Sequence, residues 1–282
     1  AVAALVALLL FAAGRYNYLL FHTIAEVFTI AVAGCVFALA WNTRGFAQNH
    51  YVLLVGIAHL FIGVLHTLHL LAYEGLAVFH DYGPNLATQL WVAARYLTAL
   101  SYVAAPIFLT RPVRRRAAMP IYTAVTGYMV LTIFVWRTFP ACFEEGVGLT
   151  RFKVVSEFII AALFLGSVWP LWMQRALLDS RVLRLLTFSL VTNAAAEIAF
   201  TLYVDVYGMW NMLGHYLVIL AFYLTYKAIV ETGLRRPYEA LFLDLKQSEA
   251  QFAAFMRHLP GFAYMRDAAG RTVYMNPAAA AR

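Results

Sequence analysis

The feature that most constrains this chain is a succession of apolar runs, each about as long as a lipid bilayer is thick. A helix rises about 1.5 Å per residue, so roughly 20 apolar residues cross a 30 Å hydrocarbon core. Eight such helices are predicted, at residues 1–13 (a truncated one), 17–41, 50–73, 85–109, 119–137, 152–174, 184–206 and 211–231. Only 12% of the residues are charged and 63% are hydrophobic, where a soluble domain carries about 25% charged residues. That leaves too little polar surface to cover a water-soluble body of this size. The chain reads as an all-α polytopic membrane helix bundle.

The net charge of +7 does not point to nucleic acid, because the arginines sit in short loops between spans. Arg44, then Arg111, Arg114, Arg115 and Arg116, then Arg175, Arg181 and Arg184, then Lys227, Arg235 and Arg236 form one alternating set of basic loops. The intervening loops EGLAVFHDYGPN, FPACFEEGVGL and VDVYG carry acids or nothing, with Arg15, Arg151 and Lys153 as mild exceptions. Basic loops face the cytoplasm, so the C-terminus is expected there too. Cys35 lies in a span and Cys142 in a loop, which gives neither a disulfide framework nor a CxxC metal motif. The opening AVAALVALLLFAA lacks a basic leader and fits the remnant of a first membrane helix better than a signal peptide. Both ends look cut from a longer protein. No repeated helix pairs or matching broken spans are evident, which counts against a secondary transporter.

With this orientation, the polar residues inside the spans gather in the outer half of the bundle. His22 and Glu26 share a face of the second helix at i, i+4 spacing, and His66 and His69 lie in the outer part of the third. The fourth brings Gln89, Trp91 and Arg95, the sixth Glu157, the seventh Asn193 and Glu197, and the eighth His215. His59 and a few hydroxyls lie nearer mid-membrane. A charge in lipid costs some 2.5–3.5 kcal/mol even on lenient insertion scales, so these groups must face one another or a wet cavity. A polar pocket beneath the outer face is the expected input site, with His22, Glu26, His69, Trp91, Arg95, Glu197 and His215 as candidate ligand-binding residues.

Each of these has a plainer explanation. His22 with Glu26, and Arg95 with Glu157 or Glu197, can be structural pairs that join helices. Trp91 fits an interfacial anchor, and His50 and His80 fit solvated loop positions. If the pocket binds something, three ligand classes stay open. His22, His66, His69 and His215 suit a transition metal or, two at a time, haem. Arg95 with the histidines suits a small polar or anionic molecule. A His/Glu cluster also suits a proton-responsive switch.

After Pro237 the composition changes. Tyr238, Phe242, Leu245, Phe252, Met256 and Leu259 follow a 4-3 spacing interrupted by Glu249, the seam of a two-stranded coiled coil or of one amphipathic helix. Phe262–Arg266 and Thr272–Met275 then read as strands around the turn Asp267–Gly270, and Asn276-Pro277 starts a helix. Three domains follow: 1–232 in the membrane, 233–258 as linker and signalling helix, and 259–282 as the start of an α+β domain.

The segment LPGFAYMRDAAGRTVYMNPAA resembles the opening of a PAS domain, with Asp267, Gly270 and Asn276 at matching positions. The segments LFHTIAEVFTI, AWNTR, LLAYEGLAVF, NLATQLWVAARYL and HYLVILAFYLTYKAIVE resemble the third type of membrane-associated sensor (MASE) domain. That resemblance implies an input module of the bacterial inner membrane, joined through PAS domains to a histidine kinase or a diguanylate cyclase and without enzymatic activity of its own. The heptad seam, for its part, points to a homodimer through the signalling helix. The family resemblance points to His22, Glu26, His69, Trp91, Arg95 and His215 by motif position, whereas His66 stands where an acidic residue is expected. The competing expectations are a haem- or metal-binding membrane redox protein, then a transporter; no nucleophile–base pair or hydrolase motif supports an intramembrane hydrolase.

Overall fold

The structure is a computed structural model that describes residues 2–45, 50–76, 78–79, 82–202, 208–232 and 236–280, with backbone alone at 2–5, 236–241 and 277–278. It divides into two compact units, Ala1–Leu234 and Arg235–Arg282. The first holds α1 (Val2–Tyr16), α2 (Tyr18–Thr43), α3 (Tyr51–Ala72), α4 (Pro84–Ala104), α5 (Arg115–Phe134), α6 (Arg151–Met173), α7 (Ser180–Thr201) and α8 (Met209–Val230). A 3-10 turn, Ala105–Leu109, extends α4. Between α5 and α6 a two-residue hairpin pairs β1 (Phe143–Glu144) with β2 (Gly148–Leu149).

Among the described residues, seven helices are long and apolar enough to cross a membrane. The eighth expected span is α1, whose 15 residues fall short of a bilayer core. The spans alternate in direction, so α2, α4, α6 and α8 begin at one end, which also carries the hairpin and is called the hairpin end below. Three starts are fixed by side-chain caps. Asn17 accepts from Leu20 N–H at 3.1 Å, Thr150 from Lys153 N–H at 3.2 Å, and Asp179 from Arg181 N–H at 2.8 Å. The Asp179 cap explains why α7 starts four residues before the expected Leu-rich boundary. Helix α5 also begins early, at Arg115, and runs through Pro120. The stretch expected as a plain loop at FPACFEEGVGL contains the hairpin. His80, most of VDVYG and Arg235 lie outside the described residues, as does the side chain of Tyr238.

Small residues let α2 and α3 approach closely. A methyl group at Gly56 would stand 2.2 Å from Ala40 Cβ, and one at Gly63 would stand 3.3 Å from Ala33 Cβ. The two glycines of α3 and the two alanines of α2 are each seven residues apart, so one seam brings the backbones together along both helices. This seam holds the hairpin-end histidines of α3 against α2.

The second unit holds α9 (Arg236–His258), a short helix α10 (Pro277–Ala280), and an antiparallel pair of β3 (Tyr264–Arg266) with β4 (Thr272–Met275). Asp267 Oδ1 accepts from the amides of Ala269 and Arg271, both at 2.9 Å, and its Oδ2 accepts from Arg271 Nε at 2.8 Å. Gly270 takes the positive φ of 79° that this turn requires. The buried Asn276 donates to Gly261 O at 2.8 Å and accepts from Ala279 N–H at 3.0 Å, capping α10. On α9, Phe242, Leu245 and Phe252 are exposed, while Met256 is buried.

Candidate functional site

The polar side chains of six spans meet at the hairpin end in two adjoining clusters, with the Trp91 indole as the wall between them. Trp91 is buried, so it is not the interfacial anchor that its position suggested. Its ring centroid lies 5.5 Å from that of His69, 5.7 Å from His66 and 5.8 Å from His215, while its Nε1–H donates to Glu157 Oε1 at 3.2 Å.

On one side of that wall are Arg95, Lys153, Glu157, Asn193 and Glu197, all buried. Arg95 Nε donates to Glu197, its Nη2 donates to Asn193 Oδ1 at 2.6 Å, and Lys153 Nζ donates to Glu157. Two basic side chains face two acidic ones here. The arrangement resembles a set of interhelical ties joining α4, α6 and α7 more than a binding surface, because Arg95 and Glu197 have no face on the neighbouring cavity. Arg95, read from the sequence either as an anion anchor or as a structural partner of Glu157 or Glu197, is tied through Nε and Nη2, while its Nη1 makes no hydrogen bond among the described residues. Lys153, which looked like a stray loop cation, is instead half of a buried i, i+4 pair. That spacing to Glu157 was the signal that could have revealed it.

On the other side, α2, α3 and α8 bring together His22, Glu26, His66, His69 and His215, each at most 5% exposed. His66 Nδ1 lies 2.7 Å from Glu26 Oε2. The Nε2 atoms of His22 and His69 are 3.3 Å apart, and His215 Nε2 is 3.6 Å from Glu26 Oε1. One ligand atom from each of His22, Glu26, His69 and His215 lies within 4.8 Å of all the others. His66 stands behind this quartet rather than in it. The Tyr73 ring stacks on His22 with centroids 3.6 Å apart and planes inclined by 20°, at the point where α3 ends before Gly75 with its φ of 99°.

A cavity with a water-accessible volume of about 40 Å³ opens onto this second cluster. His22, His69, His215 and Trp91 line its floor, and the exposed Glu74 stands at its rim beside Pro84. Sequence reasoning missed Tyr73 and Glu74 just after α3, Thr88 on α4 and Asn211 on α8, whose contributions depend on how the helices rotate against one another. Gln89, expected among the pocket polar groups, turns away. It donates to the carbonyls of Phe139 at 2.9 Å and Pro140 at 3.0 Å. Asn85, one turn before it, accepts from the amides of Cys142 and Phe143 at 2.7 and 3.0 Å. Together they latch the hairpin segment onto α4.

The cavity is small for a macrocycle, since drug-sized and cofactor pockets run to about 300–1,000 Å³. Four donor atoms so close together also leave no open plane between them for a porphyrin. The geometry suits an ion or a molecule of a few atoms.

No curated protein and no solved structure matches the chain. A family model described as membrane-associated sensor domain, MASE3, matches residues 13–237, which takes in every span from α2 to α8 and all the residues of both polar clusters. The chain thus belongs to the MASE3 family of membrane-associated sensor domains.

Proposed function

We propose that the histidine-lined cavity is the stimulus site of this sensor domain, and that the bacterial inner membrane holds it with the hairpin end outward and the C-terminus in the cytoplasm. The observation that carries the reading is the convergence of His22, His69 and His215 from three helices onto one cavity, with a Glu26 ligand atom within 4.8 Å of theirs. A structural cluster has no need of a cavity; a recognition site does.

Helix α8 is the suited relay. His215 lies near its start at the cavity, and Phe222 and Thr225 continue the buried face down the helix. A ligand that binds one packing of α8 better than another shifts the population between them, and only that difference in affinity can transmit a signal. The exposed Phe242, Leu245 and Phe252 of α9 fit a seam between two copies of the chain. The β3–β4 hairpin with its Asp267 turn and Asn276 cap fits the opening of a PAS domain. In this reading the output lies downstream, in a histidine kinase or a diguanylate cyclase, and the segment itself catalyses nothing.

The test is signalling by the full-length receptor carrying His22→Ala or His215→Ala. Loss of the response with normal membrane insertion is expected. Unaltered signalling by both variants would refute the assignment of the cavity as the stimulus site.

A further inference from the structure

We infer that the ligand of this cavity is a single divalent d-block cation of the imidazole-binding kind, held by His22, His69, His215 and Glu26; the inference rests on the cavity being the stimulus site and names what it takes.

The ring orientations carry the argument. His69 Nδ1 lies 2.7 Å from Ala87 O, and His215 Nδ1 lies 2.8 Å from Asn211 O. A carbonyl oxygen only accepts, so each Nδ1 holds the hydrogen and each Nε2 presents a lone pair to the cluster. His66 Nδ1, 2.7 Å from Glu26 Oε2, orients the carboxylate in the same way. Metal-binding histidines and carboxylates have such outer partners, because these fix tautomer and aim.

Two of the donor atoms they aim are left over, and a third, His69 Nε2, is within hydrogen-bond distance of His22 Nε2. Glu26 Oε1 and His215 Nε2 make no hydrogen bond among the described residues, though both are enclosed in the bundle. His22 Nε2 and His69 Nε2 stand 3.3 Å apart. Two nitrogens each about 2.0–2.1 Å from a tetrahedral ion are separated by about 3.4 Å, so that spacing is the edge of a coordination tetrahedron. The full quartet spans 4.8 Å. In a tetrahedral shell every pair of donors stands about 3.4 Å apart, so the widest pair must close by about 1.4 Å, about 0.7 Å from each side chain.

Charge and chemistry narrow the ion. Glu26 is the cluster's one carboxylate among four imidazoles, and a buried charge calls for a partner. Lys153 at the cavity is engaged by Glu157 and does not serve it. Three neutral imidazoles favour zinc, copper, nickel or cobalt over magnesium and calcium, which prefer all-oxygen shells. Glu74 at the rim places a carboxylate on the path of an entering cation.

The experiment uses the full chain in lipid nanodiscs, with Zn²⁺ as the probe and Co²⁺ as its visible reporter. One Zn²⁺ per chain is expected to survive desalting, in the presence of excess Mg²⁺. Glu26→Gln and His215→Ala should each weaken binding beyond the roughly tenfold to hundredfold typical of losing an outer partner. His59→Ala, which removes a buried histidine whose Nδ1 lies 2.8 Å from Val55 O, outside the quartet, should bind as the parent does. Absence of retained Zn²⁺, or equal loss in His59→Ala and His215→Ala, overturns the inference. Should a variant fail to insert, a rise in thermal midpoint of the unmodified chain with Zn²⁺ but not Mg²⁺ still decides it: no rise overturns it. Zn²⁺ binding with normal signalling by His22→Ala and His215→Ala would sink the stimulus-site reading alone. Lost signalling without Zn²⁺ binding would sink the metal alone.

Discussion

His66 Nδ1 lies 2.7 Å from Glu26 Oε2, a contact between α3 and α2 that leaves the other carboxylate oxygen facing His215. The residue that stands where the family resemblance leads one to expect an acid is thus the hydrogen-bond partner of Glu26.

If His66 acts through Glu26, His66→Ala should weaken Zn²⁺ binding by roughly tenfold to a hundredfold without abolishing it. His66→Asn, which can still donate to the carboxylate, should recover part of the loss. Isothermal titration of the two variants checks this; equal affinities in parent and His66→Ala would show that Glu26 is aimed by something else.

The α2–α3 seam makes a steric prediction. A methyl at Gly56 would stand 2.2 Å from Ala40 Cβ, so Gly56→Ala should lower stability by roughly 1–3 kcal/mol, the usual range for overpacking. Ala40→Gly in the same chain removes the clashing atom and should restore much of it. Thermal unfolding in detergent reads both, and an unaffected Gly56→Ala would mean the seam is looser than drawn.

Cys142 sits in the hairpin segment, fully buried, where burial pushes its thiol up to about 12, with the carboxylate of Glu157 adding to the rise and Lys153 opposing it. The thiolate is the reactive form, and at pH 8 it is scarce at such a site. Iodoacetamide at that pH should therefore leave Cys142 unmodified in the folded chain and alkylate it after denaturation. Modification at the rate of a free thiol would contradict the latching of this segment by Asn85 and Gln89.

Asp267 accepts from the Arg271 amide and side chain, which hold its carboxyl below the usual range. A depressed folded value stabilises the turn above the ordinary aspartate range, and that support is lost as pH falls through the folded value. Hydrogen exchange in the β3–β4 peptide should accelerate in Asp267→Ala, and less in Asp267→Asn, whose oxygen still accepts from the amides. Equal exchange in all three would show that the turn is set by Gly270 alone.

Much of this architecture was legible because hydropathy and loop charge act over whole helices. Spans α2 to α8 follow from runs that lipid alone can solvate, and the i, i+4 pairs His22/Glu26 and Asn193/Glu197 lie on the faces their spacing implied. What stayed hidden depends on how helices rotate and how connections return. Spacing alone could not say that Arg95 turns toward Glu197 and Asn193 while His215 turns toward Glu26. Nor could it say that Gln89 serves the hairpin segment, since an amide on a polar face bonds whichever carbonyl comes back to it. The cap at Asp179 is a local signal, an aspartate directly before the first turn of α7.

The measurement that tests the central claim most directly is zinc K-edge X-ray absorption of the full chain loaded with one Zn²⁺. The account predicts a first shell of nitrogen and oxygen at about 2.0–2.1 Å with outer scattering from three imidazole rings. An oxygen-only shell, or the signature of a single ring, would mean that His22, His69 and His215 do not meet at one ion.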